Sequence, residues 1–554
     1  MTAATATRPP DTAPAPQSHG RGNALAGTGA LLRFNLRRDR IRLPVWIGAL
    51  FLVTLSSVSS LESSYPEPED WASMKDTLGG PAGLAMSGPE HYLSGEYNFG
   101  AMTGHQFIGF MGIMVAIMSV LTVVRHTRTE EETGRAELLR SNVVGRHAHM
   151  AAALTVAVAA NLVLALLLAA GLGSQDLAGI TSSGSVLYGA TSAAIGISFA
   201  AIAAVTVQIT AFSRGASGLG MAAIGVAYAL RAVGDVGTDA FSWLSPIGWA
   251  QRTYVYVDDR WWPLLLNLGL IVGAIATGFF LSTRRDVGAG LRPPRPGRPT
   301  ASDALARPVG FALRLHRGVL IGFAAGAALF SLMYGSILGD AEELLEDNDQ
   351  LRETVERLGG DIVESFASVV MSLLAIVAAA YVVMATLRPR AEETGGRAEP
   401  VLATGLSRTR WVGSHLTVAL IGGTLIMLLA GVGFGISGAA SADDGDLMWK
   451  LIGASLAYAP ALWVTAGISV TLLGWFPKAS AAAWVVPAYA FFVVYLGELT
   501  DLPDALSNLS PIGHVPQVPA ADLEWTPLLV MTALAAGLVW LGLLGFRRRD
   551  LETK

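Results

Sequence analysis

Two short charged loops contain the residues of this chain whose types and spacing best suit a specific interaction. Residues 131–137 read Glu-Glu-Thr-Gly-Arg-Ala-Glu, and residues 392–399 repeat this pattern with one additional glycine. Their carboxylates and guanidinium groups suit charge-assisted hydrogen bonds to a partner protein, while glycine lets the chain turn sharply. A single loop of this kind is more often a solvated linker, but its duplication favours a function. The candidate partner-binding residues are Glu131, Glu132, Thr133, Gly134, Arg135 and Glu137, followed by Glu392, Glu393, Thr394, Arg397 and Glu399.

Motifs for nucleotide binding and covalent catalysis are missing from the sequence. No G-x-x-x-x-G-K-[ST] segment is present, so the chain lacks the P-loop that holds nucleotide phosphates. The H-E-x-x-H and G-x-S-x-G motifs are also missing. Because there is no cysteine, thiol nucleophiles and thiolate metal ligands are excluded, and the nine histidines are scattered. We expect no catalytic residue, metal site or cofactor in this chain, and no nucleic-acid partner.

The composition predicts that these loops connect membrane-spanning helices. The chain of 554 residues is 52% hydrophobic and only 15% charged, whereas soluble domains contain about 25% charged residues. About twenty apolar residues are enough to cross a bilayer as a helix. We predict spans at 43–61, 105–124, 150–172, 186–212, 218–233 and 263–283, and again at 319–338, 362–387, 411–436, 448–475, 479–496 and 526–546. The predicted fold is an all-α polytopic membrane protein of about twelve transmembrane helices.

The distribution of basic residues predicts the orientation of the spans. If both termini are cytoplasmic, the alternating loops place 31 of the 38 Lys and Arg residues inside, and the opposite orientation leaves only 7 there. Cytoplasmic loops are enriched in Lys and Arg. We therefore predict a multi-pass protein of the bacterial plasma (inner) membrane with its N- and C-termini in the cytoplasm.

The two halves of the chain repeat each other. Ser-Pro-Ile-Gly occurs at 245–248 and 510–513, Arg-Arg-Asp at 284–286 and 548–550, and Phe-Ser-Arg at 212–214 matches Phe-Pro-Lys at 476–478. Several matches in the same order at nearly one spacing indicate duplication. The predicted organisation is a disordered tail (1–27), a six-span half (28–290), a Pro/Arg-rich linker (291–302) and a second six-span half (303–554). Basic, apolar-striped stretches at 31–38 and 311–317 suit interfacial helices, although ordinary positive flanks of a span are an equal alternative.

These features resemble the permease subunits of bacterial ABC exporters, specifically the actinobacterial polyketide-antibiotic exporters (tetronasin-resistance-like). In that family each six-span half is one exporter permease domain with a coupling helix between its second and third spans, here 130–140 and 392–401, and an external re-entrant element, here 235–262 and 500–525. The resemblance implies export of hydrophobic or amphipathic compounds such as drugs and antibiotics. It implies that two copies of a separate cytoplasmic ATPase bind ATP and Mg and dock on the coupling loops. The inserted glycine and Pro400 imply a shorter or bent second coupling helix.

Two alternatives remain at the level of sequence. An ion-coupled secondary transporter with two six-span halves would need an ionisable residue near mid-membrane, and the predicted spans carry their charges at their ends. A lipid or cell-envelope precursor is the alternative cargo of an exporter. For the substrate route, the fifth and eleventh spans are predicted to be the shortest, and short segments in corresponding positions point to a binding region. The candidate pathway residues are Tyr228, Tyr489, Phe492 and Tyr495.

Overall fold

The computed structural model describes residues 23–135, 144–286, 288–293, 297, 299–336, 338–339, 362–496 and 509–551. Within these residues the regular secondary structure is helical, and twelve helices are long and apolar enough to cross a membrane. Spans 1 to 6 are Arg42–Ser64, Phe99–Glu132, Ala148–Gly173, Ser182–Ile209, Ser213–Val236 and Leu264–Ser282. Spans 7 to 12 are Pro308–Gly335, Val363–Thr394, Arg408–Ser441, Gly445–Trp475, Pro477–Val494 and Trp525–Arg548. The prediction of an all-α polytopic protein is confirmed.

The chain divides into two compact units, Met1–Pro296 and Gly297–Lys554. The division lies inside the predicted linker, residues 291–302. Each unit contains six spans, which is the organisation that the internal repeat predicts.

In the first unit, spans 2 and 4 form the centre. In spans 2 and 4, 67% and 72% of the most apolar segment is buried, against 22% in span 1 and 11% in span 6. Span 4 packs against spans 2, 3 and 6. Small residues on span 4 permit this close packing, since Ala200, Ala203 and Ala204 are fully buried.

The second unit repeats this arrangement. Spans 8 and 10 are again the most buried, at 67% and 72%, while span 7 is only 17% buried. Span 10 packs against span 12 and span 7 against span 9, as span 4 packs against span 6 and span 1 against span 3 in the first unit. The duplication that is visible in the sequence therefore extends to the packing.

The two halves begin differently. In the first, a separate helix, Thr28–Arg38, precedes span 1, and the chain turns at Asp39, whose buried carboxylate accepts a 2.6 Å hydrogen bond from His126 Nε2. Burial raises the pKa of Asp39, but this hydrogen bond and the charges of His126, Arg125 and Arg42 outweigh it, so the pKa lies below its ordinary value.

In the second half, the basic stretch is the flank of its span, the second of the two alternatives, and not a separate helix. One continuous helix, Pro308–Gly335, contains both the basic stretch and the span. The buried residues Ala312 and His316 of this helix are spaced like Leu31 and Asn35 of the separate helix in the first half. In that alignment Leu320 stands where the first half has Asp39.

Short helices connect the spans. In the first unit they are Pro68–Gly79, Pro81–Met86 and Glu90–Leu93 between spans 1 and 2, and Asp239–Leu244 and Pro246–Gln251 between spans 5 and 6. In the second unit, Asp303–Ala306 precedes span 7, Arg388–Thr394 ends span 8, Ala398–Leu402 follows it, and Ile512–His514 lies before span 12.

Part of the predicted N-terminal tail is folded. The backbone N–H groups of Gly145 and His147 donate to the carbonyls of Ala26 and Ala24 at 2.8 and 2.9 Å. A Cβ atom at position 145 would lie 2.3 Å from the Ala24 carbonyl oxygen, so this approach requires glycine. Residues 23–27 therefore belong to the first unit, and residues 1–22 lie outside the described part of the chain.

Candidate functional site

The first duplicated loop begins with a short helix, Arg128–Glu132, at the end of span 2. Arg128 is fully buried, and its Nε and Nη2 atoms donate to the carbonyl of Val207 at 3.1 and 2.7 Å. Val207 lies in the last turn of span 4, where backbone carbonyls have no partner within the helix. The guanidinium group supplies that partner and attaches the start of the loop to span 4.

Glu131 attaches the same loop to the residues that follow span 6. Its two carboxylate oxygens accept from both terminal nitrogens of Arg285 at 2.8 Å each, and Oε2 also accepts from Arg128 at 2.7 Å. The side chains are only 10% and 8% exposed for Glu131 and Arg285. A bidentate pair of this kind fixes orientation as well as distance.

The neighbouring carboxylates bind two further elements. Glu130, which is buried, accepts a hydrogen bond from Arg38 at the end of the helix that precedes span 1. Glu132 Oε2 accepts from the Ser213 backbone N–H at 2.9 Å and from its hydroxyl at 2.5 Å. Since Ser213 is the first residue of span 5, this carboxylate caps the positive end of that helix.

The second loop begins with the helix Arg388–Thr394 at the end of span 8. Glu393, 1% exposed, accepts from both terminal nitrogens of Arg549 at 2.8 and 2.6 Å, and Arg549 directly follows span 12. Glu392 lies between Arg388 Nε at 2.7 Å and Arg397 Nε at 2.6 Å. A carboxylate–arginine pair thus attaches each loop to the end of the last span in its own half.

These contacts correct the register of the repeat. The sequence match aligns Glu131 with Glu392 and needs an inserted glycine, but the equivalent partners Arg285 and Arg549 align Glu131 with Glu393. In this register Gly134 and Gly396 coincide, and both have left-handed φ values, 73° and 69°. No insertion is required: Thr394 occupies the place of Glu132, and Gly395 that of Thr133.

The second loop consists of two short helices, whereas residues 136–140 of the first predicted coupling helix lie outside the described residues, so the expected difference between the two coupling helices stays a prediction. Arg388–Thr394 has seven residues, against five in Arg128–Glu132. A bend lies at 395–397, between this helix and Ala398–Leu402. Gly396 adopts a conformation that residues with a Cβ rarely take, which separates the two helices.

The predicted partner-binding residues fall into an exposed and an inward-facing group. The exposed residues are Glu132, Thr133, Arg135, Thr394, Arg397 and Glu399. The carboxylates of Glu131, Glu392 and Glu393 point inward onto arginines of their own half. Gly134 is half-buried at the end of the first loop helix, and Glu137 lies outside the described residues.

Comparison with known proteins identifies the family. The family model described as "Multidrug efflux system permease Rv1217c, C-terminal domain" matches residues 31–281 and 305–547. The chain belongs to this family. The permease is also 38% identical over 538 residues to the multidrug efflux system permease protein Rv1217c of Mycobacterium tuberculosis (strain ATCC 25618 / H37Rv), and the match covers 96% of each chain.

The positioning arginines of the permease were not predicted as site residues. Arg285 and Arg549 stand in the repeated Arg-Arg-Asp segments, and this repetition was a signal that they have equivalent roles. Arg128 and Arg390 hold equivalent positions in the two loops, and Arg390 Nη1 lies 3.6 Å from Glu393. The sequence offered no means of pairing Arg285 and Arg549 with particular carboxylates more than 150 residues away.

Of the predicted pathway residues, Tyr228 lies beside a buried arginine of the permease. Its hydroxyl donates to the Met86 carbonyl at 3.2 Å, and its ring lies 4.8 Å from the guanidinium carbon of Arg231. Arg231, fully buried in span 5, donates to the carbonyls of residues 84–87, at and just after the C-terminus of the helix Pro81–Met86. Tyr228 and Arg231 therefore hold this helix against span 5.

The other predicted pathway residues lie in the second unit, on the helix Val485–Leu496. Tyr489 is half-buried and Phe492 is 36% exposed, and their spacing of three residues places them on one helix face. Tyr495 belongs to the same helix, and its side chain lies outside the described part of the structure.

The expectation that spans 5 and 11 are the shortest is wrong for span 5. Span 5 has 24 residues, whereas span 11 has 18 and span 6 has 19. Hydropathy alone placed its start at residue 218, but the cap from Glu132 lets the helix begin at Ser213.

The described residues contain no group of three or more His, Asp or Glu side chains that is arranged to hold a metal ion. The loops instead present carboxylates and guanidinium groups in pairs, with exposed charges at their tips. This arrangement suits docking and positioning.

Proposed function

We propose that this permease is the transmembrane subunit of an ATP-driven ABC exporter that moves hydrophobic or amphipathic compounds, including drugs and polyketide-type antibiotics, out of the cell. The observation that carries the proposal is the pair of equivalent charged loops, each at the junction of the second and third spans of its half. The sequence lacks a P-loop, so energy from ATP requires a second protein. The name of the relative, a permease of an efflux system, agrees with a multi-component pump.

In this proposal two copies of a cytoplasmic ATPase subunit bind ATP and Mg and dock under the two halves. The exposed residues Glu132, Thr133 and Arg135 contact one copy, and Thr394, Arg397 and Glu399 contact the other. The inward-facing Glu131, Glu392 and Glu393 hold the loops in position for docking. The finer assignment to the tetronasin-resistance-like exporters rests on the sequence resemblance, and the excess of arginine in alternate loops supports cytoplasmic termini in a bacterial plasma membrane.

The proposal is tested by purifying the permease with the ATPase subunit and weighing the complex by native mass spectrometry. We expect one permease with two ATPases and drug-stimulated ATP hydrolysis in proteoliposomes. A complex of two permease chains, or drug transport by the permease alone in response to a proton or sodium gradient, would contradict the proposal and favour a secondary transporter.

The docking surface is tested by reversing exposed charges. A hydrogen bond to a charged group contributes about 1.5–3 kcal/mol, and about 1.4 kcal/mol is a factor of ten in affinity. Arg135→Glu combined with Glu399→Arg should weaken ATPase binding at least about tenfold in a titration, and both positions are exposed. Arg307→Glu, which also reverses an exposed charge, serves as the matched control and should bind normally.

A further inference from the structure

The helix at the start of each loop binds the end of the last span in its own half. In the first half, the two nitrogens of Arg285 hold Glu131 at 2.8 Å, and in the second, those of Arg549 hold Glu393 at 2.8 and 2.6 Å. All four side chains are at least nine-tenths buried. Breaking a buried pair is costly, because the remaining charge is left without a partner.

The arginine that follows each loop also binds the end of the last span in its own half. Arg146 Nη2, just before span 3, donates to the Thr283 carbonyl at 2.9 Å. Arg408 Nη1, at the start of span 9, donates to the Arg549 carbonyl at 2.8 Å. Thr283 and Arg549 are the C-terminal cap residues of spans 6 and 12, so each arginine binds a carbonyl at the end of the last span of its half.

In both halves, a break in the helix separates the loop helix from the rest of its span. The helix of span 2 ends at His126, and Thr127, with φ −124° and ψ −83°, separates it from the loop helix. In the second half, Leu387 separates the two helices, and Pro389 in the first turn has no N–H to continue the hydrogen-bond pattern. A force applied to either loop helix therefore meets a helix break before it reaches the rest of span 2 or span 8.

We infer that Glu131 with Arg285, and Glu393 with Arg549, are positioning pairs that make each loop and the cytoplasmic end of its last span move as one body. Displacement of the loop by the ATPase is then delivered to spans 6 and 12 through these pairs and through the contacts of Arg146 and Arg408. This inference rests on the proposed function, which supplies the ATPase, and adds the route by which its motion enters the membrane.

The test measures drug exported per ATP hydrolysed by the complete complex in proteoliposomes. We compare Glu393→Arg, Arg549→Glu and the double variant that exchanges the two charges. In the first half we compare only Glu131→Arg and Arg285→Glu, because Arg128 also donates to Glu131 and would face an introduced arginine. Each single variant should lower the export-to-hydrolysis ratio at least tenfold, and the exchanged pair of the second half should restore it to within threefold of the unaltered protein. Size-exclusion chromatography identifies folded samples. Normal ratios in the single variants, or a folded exchanged pair without recovery, would overturn the inference.

A second experiment keeps the inference testable if the charge variants misfold. The chain has no cysteine, so Glu393→Cys with Arg549→Cys can be joined by a short bifunctional thiol reagent. Before cross-linking, this variant lacks the ion pair and should show the low export-to-hydrolysis ratio of the single variants. If loop and span move as one body, the cross-link should raise the ratio to within threefold of the unaltered protein. A fully cross-linked complex whose ratio stays low would contradict the inference. Failure of the ATPase to bind the unaltered permease would instead refute the proposed function.

Discussion

Replacement of Arg231 by glutamine should release the short helix Pro81–Met86 from span 5. The guanidinium group donates to the carbonyls of Met86 at 2.9 Å and Ser87 at 2.8 Å, and also to that of Ala85. The last carbonyls of a helix have no partner within it, and a six-residue helix does not persist by itself in water. Arg231 therefore makes most of the hydrogen bonds that attach this segment, and Tyr228 and Gln251 each add a donor.

The structure allows the effect to be estimated. Glutamine is shorter and its single NH₂ group has two donors, so at least two of the four guanidinium–carbonyl hydrogen bonds to residues 84–87 are lost. At about 1.5 kcal/mol for each hydrogen bond to a charged group, the lower bound is about 3 kcal/mol. Since about 1.4 kcal/mol is a factor of ten, the open form of the segment should become about 100-fold more populated. Tyr228→Phe removes one neutral donor, and we expect no more than a tenfold change.

Thiol labelling of purified protein reports this opening. Ser87 is 6% exposed, so Ser87→Cys should react slowly in the unaltered background and about 100-fold faster with Arg231→Gln. Ala200→Cys, in the buried part of span 4, should stay protected and shows that the unit remains folded. If Ser87→Cys reacts within twofold of its original rate while Ala200→Cys is protected, the arginine does not hold the segment and the reasoning is refuted.

Three further predictions concern topology, substrate contact and pH. A cysteine at Asp444 should react with an impermeant thiol reagent in intact cells and one at Arg307 should not; the reverse pattern would contradict cytoplasmic termini. Alanine at Tyr228, Tyr489, Phe492 or Tyr495 should alter substrate preference in export assays with little loss of protein, and unchanged export of every compound by all four variants would disprove the pathway assignment. Asp39→Asn should lower the Tm throughout the range from pH 8 to pH 5, because the lowered pKa of Asp39 keeps its stabilising charge above about pH 4 and only stronger acid removes it. Loss of the difference between pH 8 and pH 5 would contradict this.

The twelve spans were predictable because a bilayer restricts the possible structures so strongly. A chain in lipid must satisfy its own backbone hydrogen bonds, so long apolar stretches become helices. The start of span 5 was not predictable in the same way, since it depends on Glu132, which lies 81 residues earlier. The break between Asp39 and span 1 likewise depends on His126, a residue of another span. Local hydropathy contains no information about either contact.

The candidate loops were visible in the sequence, but their internal register was not. Both contain adjacent glutamates, so identity alone aligns Glu131 with Glu392 as readily as with Glu393. The pairing with Arg285 and Arg549, which lie 154 and 156 residues further along the chain, shows that Glu131 corresponds to Glu393. Residue identity alone therefore does not assign equivalent roles in the two halves. The interaction partners of each residue must be known before a role is transferred from one half to the other.

The corrected register explains a difference between the halves that looks accidental in the sequence. Glu132 caps Ser213 at the start of span 5, and the corresponding positions in the second half are Thr394 and Pro477. Threonine has no carboxylate and proline has no N–H, so acceptor and donor are replaced together. Span 11 accordingly begins with a 3₁₀ segment, Pro477–Trp484, where span 5 begins as an α-helix. Because neither partner of this contact remains, while both partners of the contact to the last span remain in both halves, holding the last span is the role that the two loops share.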